Sequence, residues 1–240
     1  PEFVSRLESA KADVVLTCHH TINITTGEVK NWRCFPDEFD REYTMEEIMA
    51  DWKKFDRSLT FHGITYRTQF YREHGVKLAE KVFYEDHEYA TYPCCVAGSV
   101  LPLDLFVYEY RIGDVSQSVS AQNQLKRIDH TKMVIVKMLK NREAITDQWA
   151  IEYCDKKIHL LLLSFMVTSM LCDSDRKRGV ARVDQLMSYI AKKDRHVVDM
   201  TLKHYKILKL LNAAHVGLEG YNRMLNSKLY NKVRHNKSFE

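Results

Sequence analysis

Apolar positions in the first half of the chain alternate or cluster in short runs, and in the second half they recur with helical periods. Phe3 to Ala10 reads as the end of a helix, and Asp13 to Cys18 as a strand rich in β-branched residues. Thr25-Thr26-Gly27-Glu28 is a turn signal, after which Val29 to Phe35 returns as the second strand of a hairpin. Thr44-Met45-Glu46-Glu47 has the spelling of a capping box, so a helix is expected to run to about Phe55 with Ile48, Trp52 and Phe55 on one face. Thr65 to His74 reads as another short helix closed by Gly75 in the manner of a C-cap, and Asp86 to Pro93 as helical at its start. Val96 to Val100 and Leu105 to Tyr110 read as strands.

From Gln122 onward, helices are expected over 122–141, 144–172, 180–192 and 195–216, with Leu125, Ile128, Ile135 and Leu139 marking the core face of the first. The run Ile158 to Cys172 is the most apolar segment, yet it falls short of the ~20 residues that span a bilayer and is interrupted by His159, Ser164 and Thr168. The pattern therefore predicts a buried bundle helix there.

Composition changes this picture mainly through charge. The chain of 240 residues is 45% hydrophobic and 28% charged with a formal net charge of +4, which suits one large or two small globular domains. Residues 121–240 carry 23 Lys and Arg against 12 Asp and Glu, whereas residues 1–120 carry 13 against 20. A module of net +11 thus follows one of net −7. Such asymmetry suits peripheral contact between the basic helices and an anionic membrane surface or partner, through a field that salt screens. Nucleic acid is not an expected partner, because the basic half has no recognisable nucleic-acid motif and no aromatic-rich basic stretch. Six cysteines without a Cys-x-x-Cys pair read as reduced thiols of a cytoplasmic protein rather than a disulfide framework.

The candidate chemistry is concentrated in one ordered series. Phe61-His62-Gly63-Ile64-Thr65-Tyr66-Arg67 is followed by Tyr84-Glu85-Asp86-His87-Glu88-Tyr89, then by Tyr108-Glu109-Tyr110-Arg111-Ile112-Gly113 and Ser116-Gln117-Ser118-Val119-Ser120. The series, over roughly residues 1 to 120, resembles the second half of the catalytic domain of family 2 glycosyltransferases, enzymes of the GT-A fold. The resemblance implies an α/β fold: a partial GT-A-like mixed sheet with flanking helices over 1–120, followed by an all-α, basic C-terminal helical bundle over 121–240. It also implies transfer of a sugar from a nucleotide-sugar donor to an acceptor hydroxyl with inversion, on a glycan, lipid-linked or protein acceptor.

By the same resemblance Asp86 is the general base, with Glu85 orienting the acceptor or supporting it. His62, Tyr66 and Arg67 belong to the acceptor side of the cleft, and Arg111, Gln117 and Ser118 to a loop that closes near the diphosphate. The nucleotide-binding half of the family, with its Asp-x-Asp metal motif, has no counterpart in this chain. The resemblance therefore implies Mg²⁺ or Mn²⁺ held by residues absent here, a chain inactive by itself, and sheet surface that favours self-association into a homo-oligomer. Asp173-Ser174-Asp175 shares the Asp-x-Asp spelling but precedes Arg176-Lys177-Arg178, and reads as a charged turn between helices. His19-His20 on a strand point to opposite faces and cannot share an ion. No metal site is expected among these residues. The reading of a different class is a non-catalytic binding or scaffolding module, which uses the basic helices to contact the inner membrane face or a partner.

Overall fold

A computed structural model describes residues 2–113 and 120–227, and Gln117 and Ser118 lie outside them. The chain divides into two units. The first takes its described residues from 2–113 and 133–158, and the second from 120–132 and 159–227.

In the first unit, α1 (Glu2–Ser9) leads into β1 (Val14–Asn23), and a turn at Gly27 leads into β2 (Val29–Trp32). The expected hairpin forms, with β1 and β2 antiparallel and His19 opposite Trp32. Helix α2 (Met45–Ala50) begins at the capping box, where the Thr44 hydroxyl accepts from the Glu47 amide and the Glu47 carboxylate from the Thr44 amide. The chain breaks at Asp51 before the short α3 (Trp52–Phe55), which differs from the single helix expected; Ile48 and Phe55 are buried all the same. Next come β3 (Ile64–Tyr66), α4 (Thr68–His74), α5 (Asp86–Tyr89), α6 (Tyr92–Val96) and β4 (Val100–Ile112).

Two local expectations need correction. Val96 ends a helix rather than opening a strand, and Thr65 and Tyr66 belong to β3 rather than to the start of a helix. Gly75 closes α4 as expected, its amide donating to the Tyr71 carbonyl at 2.8 Å, and glycine is required there by space, since a Cβ would lie 2.3 Å from that carbonyl oxygen.

The sheet is mixed. β4 runs parallel to β1 along one edge, while β3 and β2 pair antiparallel with successive parts of the other. Val14 and Leu16 on one face of β1 and Val15 and Thr17 on the other are all buried, as a central strand covered on both faces requires. Two register shifts interrupt the β1/β4 ladder, and after the second, Tyr108 rather than Val107 faces His19. Such bulges bend a strand and re-aim its side chains.

Residues 121–227 are mainly helical, as their periods predict. They comprise α7 (Ala121–Lys126), α8 (Ile128–Arg142), α9 (Gln148–Val167), α10 (Arg176–Lys193), α11 (Arg195–Ala213) and α12 (Leu218–Leu225). The expected helix over 122–141 is broken at Arg127, and the one over 144–172 ends in a π-helical turn at Thr168–Cys172. In the second unit this turn is tied down by the Asn212 amide and the Arg176 guanidinium, which both donate to the Met170 carbonyl at 2.7 and 2.9 Å. Gly179 of α10 packs against it so closely that a Cβ would stand 2.1 Å from the Ser169 carbonyl oxygen. Among the described residues no helix is long and apolar enough to cross a membrane.

Asp173 and Asp175 are spent on this architecture. Asp173 is buried between Arg178 and Arg182, which hold its carboxyl below the usual range, and Asp175 caps α10 through the Arg178 amide. Neither carboxylate is free to hold a metal.

Candidate functional site

Helix α5 carries Asp86 at its first position and is only four residues long. A helix this short leaves most of its carbonyls without internal partners, and each needs a donor from elsewhere. Three side chains supply them. Thr91 donates to the His87 carbonyl at 2.6 Å, Tyr66 to that of Tyr89 at 2.7 Å, and Tyr153 of α9 to that of Ala90 at 2.6 Å. Glu88, fully buried, adds an anchor by accepting from Lys137 of α8 at 2.6 Å. Tyr84, with φ of 73°, turns the chain into the helix through a conformation rare for a bulky residue.

Asp86 is thereby held half-buried with its carboxylate at the start of the helix. Burial raises its pKa above the ordinary carboxylate value, opposed by the amides of Asp86 and His87 and by the charge of Lys157. No ion pair to it occurs among the described residues, and the charge of Lys157 acts on it without outweighing the effect of burial. Glu85 sits at the N-cap, half-buried, and its side chain caps no amide.

Lys157 is the residue that sequence reasoning missed. The residue is 8% exposed, and its ammonium donates to the Leu59 carbonyl and lies 5.5 and 5.7 Å from the ring centres of Tyr153 and Trp52. Desolvation brings its pKa down to about 8, and the nearby thiols Cys94 and Cys95 and the carboxylates Asp56 and Asp86 act in the opposite sense. A signal was present: a helix that is apolar nearly all round is buried, so the charges inside Asp155-Lys156-Lys157 needed partners within the protein.

The His-Gly-Ile segment approaches β1 at Gly63, where a Cβ would stand 2.7 Å from the Thr17 carbonyl oxygen. That approach lays His62 on His19, with ring centres 4.9 Å apart, and brings it to 4.4 Å from Tyr110 and 5.1 Å from Tyr108. Asp86 acts electrostatically on Tyr110, whose phenol burial pushes up. Asp86, Tyr110 and His62 therefore belong to one neighbourhood, with ring faces of Tyr108 and Phe61 partly open to solvent.

The remaining candidates fall elsewhere or serve support. Tyr66 holds α5 through its hydroxyl, its ring 4.9 Å from that of Tyr89. Arg67 pairs with Asp13 at 2.6 Å, and with Tyr66 it lines a cleft of about 220 Å³ alongside Leu7, Ala10, Ala12 and Val15. Arg111 follows Tyr110 in a regular part of β4, so it points to the opposite face of the sheet from the His62 neighbourhood. His19 and His20 part in the same way, His20 stacking on Phe106 at 4.3 Å.

Burial brings the pKa values of His19, His62 and His87 down to about 4. Each is neutral in the folded state near pH 7, whereas the unfolded chain takes up their protons near pH 6.5. Stability is therefore expected to fall as pH drops from about 6.5 toward 4. His19, 6% exposed, accounts by itself for a loss of about 2 kcal/mol at pH 5. Thermal melts at pH 7.5 and 5.0 check this, and an unchanged midpoint would contradict the burial of these rings.

A scan of family models finds no match to this chain, and neither does a search of the curated proteins.

Proposed function

We propose that this chain forms the acceptor side of an inverting glycosyltransferase of the family 2 kind, with a GT-A-like first unit and Asp86 as general base. The observation that carries the reading is Asp86 itself. A half-buried carboxylate of raised basicity, free of any ion pair among the described residues, stands on an anchored helix within the ordered motif series. Asp86 takes the proton of an acceptor hydroxyl as its oxygen attacks the anomeric carbon, and the nucleotide leaves from the opposite face of the sugar. One carboxylate suffices for this single displacement. The ring faces of Phe61 and Tyr108 next to His62 offer apolar surface on which a sugar can stack.

The resemblance also implies Mg²⁺ or Mn²⁺ at the leaving diphosphate. The described residues do not fit one: no group of three His, Cys, Asp or Glu is placed to hold an ion, and the one Asp-x-Asp is engaged by arginines and a helix cap. No step of the proposal runs through the metal. Arg111 remains the candidate for the leaving-group charge only on the face of the sheet away from His62, which makes it the least supported of the proposed residues.

The product's stereochemistry tests the reading. In a glycosyltransferase preparation containing these residues, the anomeric coupling in the proton NMR spectrum of the product is expected to report inversion of the donor linkage. Retention would require a second displacement, for which a lone base does not account, and would overturn the proposal.

A further inference from the structure

We propose that the outward face of α11 docks on an anionic lipid surface, an inference independent of the role of Asp86. Val197, Thr201, Leu208 and Asn212 are the buried residues of this helix and define its inward stripe. At about 100° per residue, Leu210 lies opposite that stripe, with Lys203 and Lys206 beside it and Leu202 and Ile207 at the flanks. Leu210 is 72% exposed, Leu202 and Ile207 are also exposed, and so are both lysines. The acid on this face, Asp199, lies 3.7 Å from Arg195. Lys209 at the margin is engaged by the Tyr205 hydroxyl and Asp184.

The chemistry of the face selects among occupants. The described residues of the second unit hold 14 Lys and Arg against 7 Asp and Glu, a net of +7, so a second copy pairing through this same face would bring like charge onto like charge. Nucleic acid would use the lysines and leave three apolar side chains without a partner. A lipid interface uses both kinds, because lysines reach headgroup phosphates while leucine and isoleucine enter the boundary with the acyl chains. The helix lies on such a surface and does not span it, in keeping with the absence of any membrane-crossing helix among the described residues.

Flotation of the 240-residue chain with phosphatidylcholine vesicles, with and without about 30% phosphatidylserine, tests this at low and high salt. Binding is expected only to the anionic vesicles and is expected to vanish at high salt, where the screening length shrinks. Lys203→Gln with Lys206→Gln should weaken partitioning roughly 30-fold, at about fivefold loss per charge removed. Leu210→Ser should weaken it about tenfold at unchanged charge. All three positions are solvent-exposed, and circular dichroism establishes that the variants keep their helices. Absence of binding at low salt, or binding that neither variant reduces, overturns the proposal. A dimer in sedimentation that Leu210→Ser dissolves assigns the face to a second copy, and equal retention on DNA regardless of Leu210 assigns it to nucleic acid; either result also overturns it.

Discussion

Arg142→Leu is expected to destabilise the protein by about 3–5 kcal/mol, the usual cost of removing one member of a buried ion pair. Asp155 of α9 is completely buried, and the fork of Arg142 at the end of α8 donates to both of its oxygens, the second at 3.0 Å. Without the guanidinium, the carboxylate loses this two-point counter-charge where water does not reach it. The double variant Arg142→Leu, Asp155→Leu removes both charges together, and is expected to recover most of the loss because the desolvation cost goes as well. Urea unfolding of the four proteins of this cycle measures the coupling. A double variant as unstable as Arg142→Leu would show that the helices are held here by shape rather than charge. The pair matters to the site because α9 also carries Tyr153 and Lys157, the residues that reach α5 and its surroundings.

What could be read from the sequence was what depends on near neighbours. The capping box at Thr44 and Glu47 involves residues three apart, and it forms as spelled. The hairpin across Gly27 and the long helices after Gln122 are likewise written in turn residues and periods. The break at Arg127 carries no glycine or proline, so nothing local announced it. Gly75 was legible as the cap that ends α4, whereas its close packing on the Tyr71 carbonyl was not.

The site divides along the same line. Glu85 and Asp86 stood out through their frame of motifs, and His62 through its place in that series. Tyr153 and Lys157 come from some seventy residues further along, and their bearing on α5 exists only once α9 has packed. Tyr110 rather than Arg111 faces His62 because of the register shifts in β4, which depend on pairing with β1. A sequence read residue by residue contains the alternation but not its phase. The mutual burial of His19 and His62 is of the same kind, since it depends on Gly63 admitting the backbone to β1.

The central claim is that Asp86 takes the acceptor's proton, and the turnover of Asp86→Asn tests it most directly. Asparagine keeps the size of the side chain and can still accept from the amides of α5, so the helix and the neighbouring rings are expected to stay in place. It cannot accept a proton from a hydroxyl, and loss of a general base typically costs two to four orders of magnitude. In a glycosyltransferase preparation that contains these residues, turnover is accordingly expected to fall by roughly 10²- to 10⁴-fold, with the dissociation constant for the nucleotide sugar little changed. Turnover within a few-fold of the unmodified enzyme, in a variant that folds and binds donor normally, would contradict the account and remove Asp86 from the chemistry.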